Sequence, residues 1–175
     1  MWYVLQVPTG CEDRLIEEIR SYRIQEYFEE VFAPRSVRKK KYRGKWQTSE
    51  ELLFPGYLFV ISENPEELYQ ALKRIPRMTR ILGTGEKWTA MTANDIETVH
   101  RLAAPHTQAQ HGKWFMDFSE GYLQGDKIIV TEGPLQGMES HIRRIDRHKR
   151  LAWLTIDVLG EPREIAVGLE IIRKE

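Results

Sequence analysis

Two clusters of cations hold the side chains of this chain best suited to chemistry, and the chemistry they suit is phosphate binding. Residues 35–45 carry Arg35, Arg38, Lys39, Lys40, Lys41, Arg43 and Lys45 with no acid among them. Residues 141–150 carry Arg143, Arg144, Arg147, Lys149 and Arg150, together with His141 and His148, against the one acid Asp146. Lysine and arginine only donate hydrogen bonds, so a run of them cannot satisfy itself and turns to water or an anion. Planar arginine also pairs with base edges or stacks on rings. Trp153 alternates away from Ala152, Leu154 and Ile156, which places it on the outer face of its strand beside the second cluster. There an unpaired base could stack on it. A plainer reading stands beside each of these: a solvated turn with Trp153 packed on Lys or Arg stems, and a solvated hairpin tip.

Other chemistry finds little support. Gly83-Thr84-Gly85-Glu86-Lys87 hints at a phosphate loop but lacks the Gly-Lys-Ser/Thr ending and a helix start, so it reads as a turn. His106 and His111 have no Cys or carboxylate at metal-ligand spacing. Cys11, the one cysteine, lies near a helix start without a His base, and alone it excludes an internal disulfide or a multi-Cys zinc site. No catalysis, metal or cofactor is expected. The 26 basic and 26 acidic residues cancel, yet residues 12–30 hold seven acids to three bases. Zero net charge therefore hides two basic patches and an acidic face, which suits local rather than general contact with nucleic acid. No apolar run approaches the roughly 18 residues of a membrane span, and the N-terminus lacks a secretory pattern. A monomeric, cytoplasmic protein that does not enter the membrane is expected.

The elements that must position these clusters alternate between strand and helix over the first hundred residues. Residues 2–7 read as a buried strand, and Thr9 with Glu12 as a capping box for a helix with Leu15, Ile16, Ile19 and Tyr22 on one face. Residues 30–37 resume strand character and lead to a hairpin tip at Arg43-Gly44-Lys45. Pro55-Gly56 interrupts the apolar run 53–61, so its strand starts at Tyr57. Asn64-Pro65 opens a second helix, with Leu68, Ala71, Leu72 and Ile75 as its buried stripe, that Pro76 ends; residues 78–82 read as a strand and 92–103 as a third helix. Residues 105–112 are small, polar and without period, a natural linker. Beyond them come five short strand candidates, 127–131, 139–146, 151–158, 164–167 and 170–173, the pattern of a small barrel. The expectation is an α+β chain: a helix-backed antiparallel domain (1–104), a linker (105–120) and a five-stranded barrel (121–175).

Two segments resemble a known family. Leu53-Phe54-Pro55-Gly56-Tyr57-Leu58-Phe59-Val60 resembles the Phe-Pro-Gly-Tyr strand of the NusG N-terminal domain, with Trp2-Tyr3-Val4 and Ile75-Pro76-Arg77-Met78 in matching places. Gly125-Asp126-Lys127-Ile128-Ile129-Val130 with Glu132-Gly133-Pro134-Leu135 resembles the family's KOW motif. The resemblance implies a transcription elongation factor. Its first domain would bind the clamp helices of the largest subunit of bacterial RNA polymerase through an apolar patch, here Phe54, Tyr57, Phe59 and Ile81. It also implies weak contact of Arg38, Lys39, Lys40, Lys41, Arg43 and Lys45 with the backbone of upstream DNA, and a KOW domain that reaches a second partner. Tyr57 and Phe59 share one sheet face, so either a partner helix covers them or both faces are buried within the chain.

Departures from the family narrow the expectation. Where general members have a Phe-Gly-Arg turn for the ribosome and the termination factor, this chain has Leu159-Gly160-Glu161, and Ser140 replaces a family glycine. With the basic segment 141–150, this most resembles the LoaP branch, which implies leader-RNA binding by His141, Arg143, Arg144, Arg147, His148, Lys149, Arg150 and Trp153 and antitermination in long operons. A general elongation factor and a ribosome- or RNA-associated KOW protein without polymerase binding are the alternatives. Strong strand patterning in the second half predicts no fold switching.

Overall fold

The computed structural model describes residues 1–82, 88–105 and 114–174. The turn expected at 83–85 and the linker histidines lie outside the described residues. In chain order the elements begin β1 (Trp2–Gln6), α1 (Glu12–Ser21), β2 (Glu30–Phe32), β3 (Arg35–Tyr42), β4 (Lys45–Leu52), β5 (Tyr57–Ile61), α2 (Pro65–Leu72) and α3 (Pro76–Leu82). They continue with β6 (Trp88–Ala90), α4 (Ala93–Leu102), β7 (Ala104–Pro105), β8 (Trp114–Met116), β9 (Ser119–Gln124), β10 (Lys127–Glu132), β11 (Ile142–Asp146), β12 (Leu151–Val158) and β13 (Glu161–Lys174). The chain forms two compact units, Met1–Ala33 with Phe54–Ile96, and Pro34–Leu53 with Glu97–Glu175.

In the first unit the antiparallel sheet runs β2-β5-β1-β6. Leu5, Val31, Leu58 and Val60 share a core with Leu15, Ile16 and Ile19 of α1 and Leu68, Ala71 and Leu72 of α2. Alternation along the strands sends these residues to the helix-covered face. Helix α1 does not begin with the expected Thr9–Glu12 capping box: Cys11 is the N-cap and no side chain caps it. Instead Glu12, 1% exposed, accepts hydrogen bonds from the Gly10 N–H at 2.7 Å and the Gly56 N–H at 2.6 Å. One buried carboxylate thus ties the helix start to the Pro55-Gly56 turn. Gly56 has φ +85, and a Cβ there would meet Thr9 Oγ1 at 3.1 Å and Val7 O at 3.3 Å, so glycine suits the turn on both counts.

The strand expected at 78–82 is a helix. Pro76 opens α3 rather than merely ending α2, because proline lacks only an N–H that the first helical turn leaves unpaired. The Thr79 N–H donates to Ile75 O at 2.8 Å, and Met78 and Leu82, one turn apart, enter the core. Five residues with three apolar among them are too few to separate helix from strand by period alone. The strand that completes the sheet is β6, whose Trp88 stacks on Tyr3 of β1 with ring centres 4.9 Å apart. Helix α4 follows a reciprocal cap: Asp95 N–H donates to Thr92 Oγ1 at 3.1 Å, and Thr92 N–H to Asp95 Oδ2 at 3.0 Å.

The second unit holds a five-stranded barrel-type sheet, β10-β9-β13-β12-β11, antiparallel except where β13 meets β9. Three details differ from expectation. The two strands expected at 164–173 are the single β13, and the start of the strand expected at 139–146 is a 3-10 turn, Glu139–His141. Strand β9 carries no apolar alternation because its buried positions are Ser119 and Gly121, where a Cβ would lie 2.4 Å from Ile129 O. A second sheet in this unit runs β4-β3-β8-β7, with β8 parallel to β3. Strand β8 therefore lies inside the segment read as linker. The hairpin β3–β4 turns at Arg43 (φ 49) and Gly44 (φ 78), two left-handed residues between the paired Tyr42 and Lys45. That is the geometry of a type I′ loop. Among the described residues no helix is long and apolar enough to cross a membrane.

Candidate nucleic-acid interface

The two cation clusters are far apart in the chain but both belong to the second unit, and β13 brings them together. Arg38 Nη2 donates to Ala166 O at 2.7 Å, and burial pushes the Arg38 guanidinium down from its ordinary pKa. Strand β3 approaches closely because position 168 is glycine. A Cβ there would lie 2.6 Å from Val37 O and 2.3 Å from Cδ2 of Phe118. Lys39 then lies over the Phe118 ring, 4.3 Å from its centre, and pairs with Glu170 Oε2 at 3.0 Å.

The other oxygen of Glu170 is 3.1 Å from Nη2 of Arg150, at the end of the β11–β12 turn. One carboxylate therefore joins the hairpin to the turn. The Arg150 guanidinium lies 3.8 Å from the centre of the Trp46 ring on β4, a cation–π contact. Between these elements lies a groove of about 380 Å³, with Arg38, Lys39, Lys40, Lys41 and Trp46 on one wall and His148, Lys149 and Leu151 on the other. Lys40 is paired with Glu51, whose carboxyl is held below its ordinary pKa chiefly by the hydrogen bond from Lys40.

The β11–β12 turn is held by its own backbone. Lys149 N–H donates to Asp146 Oδ1 at 2.9 Å, Arg150 takes φ 54, and its carbonyl accepts from the Leu169 N–H at 3.0 Å. Asp146 thus serves the turn, while Arg147, His148 and Lys149 stand exposed. Arg143 and Arg144 are exposed on β11 and His141 is half-buried. Trp153 points outward as its alternation predicts, since Ala152, Leu154 and Ile156 are buried. Its ring is already covered on one side: the Arg144 guanidinium sits 3.7 Å from its centre and 3.5 Å from Glu164. At the hairpin tip Lys41, Arg43 and Lys45 are exposed, with Arg43 over the Tyr42 ring at 5.3 Å.

The apolar residues expected to meet a partner are placed differently. Phe59 is 0% and Phe54 3% exposed, so both faces of β5 are buried and Phe59 is not the partly exposed ring that one reading allowed. The cause is local: Phe32 stands opposite Phe59 on β2, with ring centres 5.7 Å apart, and Phe54 lies at 5.5 Å. Tyr57 and Ile81 are half-buried, Ile81 on helix α3 against the core. Sequence reasoning missed Trp46, Glu170 and Gly168. A tryptophan between cations on a polar strand was a signal for the first; nothing local marked the other two.

Comparison with known proteins agrees with this architecture. Residues 1–100 match the family model described as "Transcription termination factor nusG". The chain is 25% identical over 179 residues to the transcription termination/antitermination protein NusG of Pasteurella multocida (strain Pm70), covering 99% of this chain and 94% of that one. To the protein of the same description from Campylobacter jejuni it is 27% identical over 181 residues, covering 99% and 96%. The solved structure of Thermotoga maritima NusG superposes with a TM-score of 0.50 at 19% identity, covering 97% of this chain and 93% of that one, a likeness of fold. A family model over residues 1–100 and relatives aligned nearly end to end lead to one conclusion: the chain belongs to the NusG family of transcription termination and antitermination factors.

Proposed function

We propose that the chain is a specialised antiterminator of the LoaP type. Its first domain, 1–104, rides on the clamp helices of bacterial RNA polymerase, and its second, 121–175, holds a leader RNA that licenses read-through of terminators in a long operon. The observation that carries this reading is the exposed turn 147–149, two cations and a histidine whose nearest acid, Asp146, is occupied by the turn's own backbone. The side chains of Arg147 and Lys149 offer donors only, and phosphate oxygens are acceptors only. The Leu159-Gly160-Glu161 turn lies at the opposite end of β12. A leucine and a glutamate there replace the family's aromatic and cation, which supports a change of partner at the barrel.

On the polymerase side, Tyr57 and Ile81 are the half-exposed members of the apolar patch, while Phe54 and Phe59 lie beneath and set the position of β5. The test is read-through on a leader-plus-terminator template with purified polymerase. Reversing Arg144 and Lys149 to Glu should abolish RNA-dependent read-through and leave polymerase binding intact, whereas Tyr57→Ala should weaken polymerase binding. Unchanged read-through in the charge-reversed protein would remove the turn from the mechanism. RNA crosslinks spread over all transcribed genes would make the chain a general elongation factor.

A further inference from the structure

We infer that the β3–β4 hairpin and the β11–β12 turn form one composite site for a single-stranded segment of RNA, rather than two sites for two nucleic acids. The inference rests on the reading of the turn as an RNA contact and extends it to a second element. Its basis is the groove within the second unit, whose two walls come one from each cation cluster.

Charge decides what the groove accepts. No carboxylate among the described residues lines it, and the carboxylates paired with its cations are already engaged: Glu170 by Lys39 and Arg150, and Glu51 by Lys40. Among the described residues, the ammonium groups of Lys41 and Lys149 make no ion pair, and they stand on opposite walls. A polyanion lying along the groove meets a cation on each side, and its phosphates accept the hydrogen bonds that these ammonium groups donate.

Trp46, on the hairpin wall, decides between strand and duplex. Arg150 covers one face of Trp46, yet the residue stays 36% exposed. An indole held in place by a guanidinium is a fixed platform, and its open side can take the π-face of a base. Bases in a duplex present only their edges, because their faces are stacked on one another; an unpaired base presents its face. The hairpin is therefore assigned to the same RNA strand as the turn, not to upstream DNA.

Titrating the full chain with a fluorescein-labelled mixed-sequence RNA of about twelve nucleotides, and separately with duplex DNA, tests this by polarisation. Lys41→Glu and Lys149→Glu should each weaken RNA binding about tenfold and flatten the salt slope by about 0.7 per lost contact. Tryptophan emission should be quenched by RNA in the parent protein and much less in Trp46→Phe. Weakening by Lys149→Glu alone would overturn the composite site while leaving the turn as the RNA contact. RNA binding unchanged by either reversal would overturn both. Lys41→Glu weakening only duplex DNA would return the hairpin to DNA. Far-ultraviolet circular dichroism of both variants, expected to match the parent, keeps a folding defect from being read as lost affinity.

Discussion

The guanidinium of Arg150 lies 3.8 Å from the ring centre of Trp46, although the two residues belong to opposite halves of the sequence. Because Arg150 is also ion-paired to Glu170, which holds Lys39, the stack is one part of a cluster that closes a β-hairpin onto a barrel turn. In a double-mutant cycle on Trp46→Ala and Arg150→Ala, read by urea denaturation, the coupling should be about 0.5–2 kcal/mol in favour of the pair. Additivity would mean that the stack contributes nothing to holding the hairpin.

Gly168 is the position at which that closure is most vulnerable. The methyl of Gly168→Ala would fall 2.3 Å from Phe118 Cδ2 and 2.6 Å from the Val37 carbonyl, so a backbone as well as a ring must move. A loss of about 1–3 kcal/mol in the urea midpoint series is expected, with faster hydrogen exchange in β3. A fully stable variant with parent-like exchange would show that β3 does not sit so close.

Glu12 ties the start of α1 to the turn that leads into β5. Glu12→Ala leaves the N–H groups of Gly10 and Gly56 without their acceptor in a site where Glu12 is 1% exposed. The expected loss is about 2–4 kcal/mol, because the two donors keep a desolvation cost that no hydrogen bond then offsets. Glu12→Gln, which keeps an acceptor oxygen, should lose less. Thermal unfolding separates the two, and equal losses would show that the hydrogen bonds are not the cause.

Leu159 occupies the left-handed region at φ 58, where a branched side chain crowds the backbone. With Gly160 at φ 79 it forms the two-residue loop between β12 and β13, for which Asn-Gly is favoured. Leu159→Asn should stabilise the chain by about 0.5–1 kcal/mol. A destabilised variant would mean that packing of the Leu159 side chain outweighs the strain.

The Lys40–Glu51 pair makes a signed prediction for pH. Glu51 has a folded pKa below its unfolded value, chiefly through the hydrogen bond from Lys40. Its stabilisation is therefore present above the ordinary carboxylate range and lost as pH falls through the folded pKa. The pair is largely exposed, so the difference between the parent and Glu51→Gln should stay below about 1 kcal/mol at neutral pH and vanish in acid. A difference that grows on acidification would reverse the sign and refute the assignment.

The sequence by itself determined what depends on neighbours along the chain. The inward residues of α2 and, apart from Tyr22, which lies exposed past the end of its helix, those of α1, the start of β5 after Pro55-Gly56, the hairpin tip at Arg43-Gly44 and the outward Trp153 were legible because period, turn chemistry and alternation are local. So was the family, carried by the Phe-Pro-Gly-Tyr strand and the KOW motif. Only the tertiary structure decided the rest. Residues 78–82 became helix because Met78 and Leu82 fill the core from one helical face, a choice so short a segment leaves open. Phe59 became fully buried because Phe32 arrives on the adjacent strand. The two cation clusters share one groove because Gly168 admits β3 and Glu170 holds both sides. Such contacts join residues distant in sequence, and their geometry exists only once the intervening chain has folded.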